Sequence, residues 1–87
     1  MIYCAVNTET SKTYVGTIDD VLTNVFMWRI GEQRKLFIKA EGYPEVESFS
    51  YSKEWSSEEI RKDVMASLSR LLRNGRYPNW KLFKEVE

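Results

Sequence analysis

Ser56-Ser57-Glu58-Glu59 constrains this chain more than any other stretch of it. A serine followed three residues later by a glutamate is a capping box. The hydroxyl accepts from the N3 amide while the carboxylate reaches back to the N-cap amide. Trp55 and Ile60 stand at the two positions of a hydrophobic staple, which sets the angle at which the chain enters the helix. Ile60, Val64, Leu68, Leu71 and Leu72 then recur at helical spacing, and Asn74-Gly75 supplies the stop. A helix with one apolar stripe has to bury it, and 87 residues leave room for only one core in which to do so. The reading is therefore a single domain over residues 1–87. The material for its core is present, with 43% hydrophobic and 14% aromatic residues. A chain this apolar offsets its ordering entropy, so disorder is not expected.

The covering elements read as strands. Residues 2–7 and 13–18 are rich in β-branched and aromatic side chains, and Thr8-Glu9-Thr10-Ser11-Lys12 between them has turn chemistry. A four-residue loop over 9–12 sets Asn7 opposite Tyr14 and Tyr3 opposite Ile18. Ile2, Cys4, Val6 and Val15 then share one face, and Tyr3, Tyr14 and Gly16 the other. A five-residue loop would put the two tyrosines on opposite faces instead; the four-residue register collects the better apolar face and is preferred. Thr17 is a plausible N-cap, and Asp19 and Asp20 complement the dipole of a following helix. Ile18, Val21, Leu22, Val25 and Phe26 give that helix its buried stripe, with Gly31 as the stop. A strand through 25–28 is the competing assignment. Residues 35–41 alternate cleanly, Gly42-Tyr43-Pro44 turns the chain, and 45–51 returns it as a second hairpin. The order ββαββα predicts an α+β fold with a four-stranded, mainly antiparallel sheet and both helices packed on one face.

Composition narrows the chemistry. Histidine is absent, which removes the commonest general base and zinc ligand. Cys4 is alone, so no internal disulfide forms. The 13 basic and 13 acidic side chains cancel, which argues against a dedicated duplex-DNA coat. No charged-then-apolar leader and no run of 18 apolar residues occurs, so a cytoplasmic protein without membrane attachment is expected.

Ile2-Tyr3 and Tyr14-Val15-Gly16, on neighbouring strands with ten residues between the two tripeptides, resemble the GIY-YIG nuclease family. Residues 71–78, a helix end followed by Pro78, look like the family's C-terminal element. The resemblance implies a metal-dependent endonuclease in which Tyr3 and Tyr14 face the scissile phosphate; a divergent member would use Glu59, or Glu58, to hold Mg2+. Four departures stand beside it. Met1 replaces the family's leading glycine, Asn24 occupies the position of its arginine with Arg29 the nearest candidate, Ser69 stands at that of its glutamate, and no histidine is available. Phosphodiester hydrolysis needs a cation to stabilise charge on the phosphoryl oxygens. Without one, Tyr3 and Tyr14 read as cross-strand aromatic packing.

The expectation is therefore a small non-catalytic interaction or inhibitor protein, with no cofactor, engaging a protein of nucleic-acid metabolism in the manner of a phage-type regulator. The nuclease, with Mg2+, is the alternative. A third reading is weak nucleic-acid binding through Arg70, Arg73 and Arg76, with Tyr77 and Trp80 stacking on bases. The carboxylates Glu41, Glu45, Glu47, Glu54, Glu58 and Glu59 cluster in sequence. They could form a face that imitates nucleic acid. The apolar tail 77–83 is expected to pack back over the sheet. Trp28, with Met27, widens the first helix's apolar surface and points to a partner or a homodimer.

Overall fold

A computed structural model describes residues 1–85 of the chain. Its elements run β1 (Ile2–Asn7), β2 (Thr13–Gly16), α1 (Ile18–Val25), β3 (Phe26–Ile30), β4 (Lys35–Ala40), β5 (Glu47–Ser50), α2 (Ser57–Arg73) and β6 (Trp80–Glu85). The fold is α+β, as expected, but the single four-stranded sheet is replaced by two three-stranded antiparallel sheets, ordered β2-β1-β6 and β3-β4-β5. Two residue runs account for the difference. Phe26-Met27-Trp28-Arg29-Ile30 leaves the helix as soon as Val25 ends it, because these β-favouring side chains gain a full ladder against β4. Gly31 is therefore not a helix stop. It leads into a left-handed turn, with Gln33 at φ 58° and Arg34 at φ 54°, that joins β3 to β4. The C-terminal tail does not merely pack back; it pairs with β1 along its whole length, from Ile2 with Glu85 to Asn7 with Trp80.

The first hairpin turns one residue earlier than expected, which shifts the pairing register by two and sets Tyr3 opposite Gly16 and Ala5 opposite Tyr14. Asn7 causes the shift. Its Oδ1 accepts from the amides of Glu9 and Thr10 at 2.9 and 3.1 Å, and its backbone closes onto Lys12 and Ser11. The loop is thus residues 8–11, with Ser11 in the left-handed region. A shift of two preserves parity, so the expected groups of side chains still share their faces. The buried face is the one that carries the tyrosines. Ala5 and Asn7 lie inside with the two tyrosines, whereas Ile2, Cys4 and Val6 are half-buried and Val15 is 58% exposed on the outer side.

Both helix starts are as the sequence indicates: Thr17–Asp20 and Ser56–Glu59 form complete capping boxes. α1 lies against β1 and β2, and α2 against α1 and β6. Val21, Leu22 and Val25 of α1 meet Ile60, Val64, Leu68 and Leu72 of α2, with Phe26, Leu36, Ile38, Ala40, Tyr77 and Trp80 completing one contiguous core. No helix among the described residues is long and apolar enough to cross a membrane.

Replacing Asn7 with alanine strands the turn amides beside a buried position. Asn7→Ala should cost about 1–3 kcal/mol, while Asn7→Asp, which keeps the acceptor, should cost less. Urea denaturation of both variants checks the ordering.

Candidate functional site

The register brings Tyr3 and Tyr14 onto one face of β1 and β2, as the resemblance requires. Each is then taken up by its surroundings. Tyr14 stacks on Trp80, centroids 5.9 Å apart at 20°, and its hydroxyl donates to Glu41 Oε1 at 2.8 Å. Lys12 Nζ donates to the same oxygen at 3.0 Å. Burial raises the Glu41 carboxyl, but the hydrogen bonds from Lys12 and Tyr14 and the lysine charge outweigh it, so its pKa is lowered. Lys12 is raised in turn by its bonds to Tyr14 and Glu41. Tyr3 has no part in this cluster; its hydroxyl lies 3.7 Å from Met1 Sδ.

The other groups a nuclease would draw on are engaged elsewhere. Glu59 accepts from the Ser56 amide in the capping box, and this hydrogen bond lowers its carboxyl. Asn24 donates to the Asp20 carbonyl, and Arg29 stacks on Phe37 in the second sheet. Among the described residues no group of three or more His, Cys, Asp or Glu side chains could hold a metal ion.

The proposed nucleic-acid contacts disperse as well. Tyr77 and Trp80 are 2% and 1% exposed, so they are core residues and offer no ring to a base. Tyr77 packs edge-on against Phe26 and Tyr43. Its hydroxyl has no hydrogen-bond partner among the described residues, and burial, with the Glu47 charge nearby, pushes its pKa up to about 12. Trp80 Nε1 donates to the Glu41 carbonyl at 2.8 Å. Arg76 pairs with Glu47 and lies over the Tyr77 ring. Arg70 and Arg73 line separate grooves. Of the acidic set, Glu41, Glu47 and Glu59 are each held by a partner within the fold.

The surface left uncommitted is one the sequence analysis did not single out beyond Met27 and Trp28. On β3 and β4 the residues opposite the core are Met27, Arg29, Lys35, Phe37 and Lys39. Arg29 and Lys35 lie over the Phe37 ring at 4.5 and 5.6 Å. Met27 is 68% exposed and Val46, from the loop before β5, 58%. With Arg29, Phe37 and Lys39 they line a shallow depression of about 250 Å³. Trp28 reaches its edge from the inner side, where Arg61 lies over the indole. The alternation in residues 35–41 contains this face, but it is visible only once Arg29 and Met27 are placed on a strand beside it.

No family model, curated protein or solved structure matches the chain.

The lowered Glu41 pKa gives the tyrosine cluster a signature. A carboxylate depressed on folding stabilises above its unfolded pKa, and that contribution disappears as pH falls through the folded value. Glu41→Gln should therefore be less stable than wild type at pH 7, with the gap closing below the ordinary carboxylate range. Thermal melts of both proteins across the acid range check this.

Proposed function

We propose that the chain is a non-catalytic interaction protein that docks on an acidic, apolar-centred protein surface through the outer face of the second sheet. One observation carries the reading: Met27, Phe37 and Val46 form an apolar centre bordered by Arg29, Lys35 and Lys39, and no carboxylate occupies the β3 and β4 positions of that face. The chain as a whole is neutral, so this local excess of cations is compensated elsewhere rather than across the face. Aliphatic side chains at the centre favour protein over nucleic acid. Met27 and Val46 adapt to apolar side chains but offer no plane to a base, and the one aromatic ring, Phe37, is overlain by Arg29 and Lys35. The rim cations contribute encounter rate and orientation; burial of the centre contributes affinity. The resemblance of the first sixteen residues to GIY-YIG nucleases is the ground for placing the partner in nucleic-acid metabolism.

The test uses tagged wild-type protein and two surface variants, Met27→Asp and Arg29→Glu/Lys39→Glu, as bait in an extract of the source cell. A specific partner should be retained by wild type at low salt, weakened by added salt, and lost by about tenfold or more with either variant. Retention of the same partner by both variants contradicts the docking face. Tight binding of a single-stranded oligonucleotide that either variant abolishes would transfer the face to nucleic acid.

A further inference from the structure

A second concave surface plays no part in the docking face. Between α2 and the β4–β5 hairpin runs a groove of about 390 Å³ whose apolar walls are Leu36, Phe49 and Leu71. Its α2 side carries Asp63, Ser67 and Arg70, at the i, i+4, i+7 spacing of one helical face. These groups are already connected. Tyr51 donates to Asp63 Oδ2 at 2.6 Å, and Ser67 donates to the same oxygen at 3.5 Å. Arg70 Nη2 in turn donates to Ser67 Oγ at 3.1 Å. Tyr51 acts here as a positioning residue. Burial and the Asp63 carboxylate push its phenol up to about 12, so it remains a donor at neutral pH.

This chain of hydrogen bonds orients one carboxylate and one guanidinium into the same groove while leaving most of their capacity unused. Among the described residues, Asp63 Oδ1 has no hydrogen-bond partner and Arg70 commits only Nη2. The two charges restrict what can bind. An anion on Arg70 meets the Asp63 carboxylate, and a cation on Asp63 meets the guanidinium, so a ligand of single charge is penalised at one end. A molecule carrying both charges satisfies both ends. Two hydrogen bonds through Ser67 separate Asp63 Oδ2 from Arg70 Nη2. That spacing suits an ammonium and a carboxylate borne on one carbon, each at hydrogen-bond distance from its partner.

We propose that the groove binds a small zwitterion of the α-amino-acid class with an apolar side chain. The ammonium sits on Asp63 Oδ1, the carboxylate on Arg70, and the side chain against Leu36, Phe49 and Leu71. The site is independent of the docking face, and loss of either leaves the other intact.

The test titrates the 15N-labelled full chain with L-phenylalanine. Parallel titrations use 3-phenylpropionate, which lacks the ammonium, and 2-phenylethylamine, which lacks the carboxylate. L-Phenylalanine should give saturable amide shifts centred on Leu36, Phe49, Ser67 and Leu71, with each single-charge analogue about tenfold weaker or more. Asp63→Asn, which keeps an acceptor for Tyr51, and Arg70→Gln, at an exposed position, should each weaken L-phenylalanine binding by a similar factor. Absence of saturable shifts in the groove overturns the proposal. So does an analogue that binds as well as the amino acid, or a folded variant that binds like wild type. Should a variant fail to fold, the analogue comparison on the wild-type chain decides alone.

Discussion

Trp80 holds the two sheets together. Its indole is buried, stacked on Tyr14 of β2, and hydrogen-bonded through Nε1 to the Glu41 carbonyl just beyond β4. Its backbone opens β6, which pairs with β1. One side chain therefore touches the first sheet on both of its strands flanking β1 and the second sheet at the end of its central strand. The neighbouring residue adds to the junction: the Asn79 amide donates to the Tyr43 hydroxyl, and its side chain donates to Glu9. A chain of this length has little apolar area to spare. Removing a side chain so placed should cost about 3–5 kcal/mol, a large fraction of the stability of any small domain.

That junction determines which residues remain free to act. Tyr14 is committed to Trp80 and Glu41, Glu41 to Lys12, and Glu47 to Arg76. Tyr14, Glu41 and Glu47 thus join elements of the fold. The cations Arg29 and Lys35 lie instead over Phe37, on a face with nothing packed against it among the described residues. The groove beside α2 follows from the same division. Leu36, Phe49 and Ser50 of the second sheet form one side of it, and the polar stripe of α2 the other.

Helix starts were legible because capping is local. The Thr17 and Ser56 boxes depend on side chains three residues apart, and both formed where the residues indicated. The end of α1 was not legible, since 25–30 carries both a helical and a strand pattern and only pairing with β4 decides between them. The β6 strand was hidden for the same reason: its partner residues lie 73 to 83 positions away, beyond any local pattern. The hairpin register turned on Asn7, whose side chain closes the turn one residue earlier than the polar run suggests. Alternation shows which side chains share a face, but not which face is buried. The Tyr3 face carries fewer aliphatic residues than its opposite, and it is buried because both helices and Trp80 close over it.

Native-state hydrogen exchange on the wild-type chain and on Trp80→Phe tests the junction most directly. If Trp80 joins the sheets, the slowest amides of β1 and β4 exchange with one common opening free energy, and the substitution lowers both by the same amount. Separate opening free energies for the two sheets, or a loss confined to β6 and β1, would contradict the account.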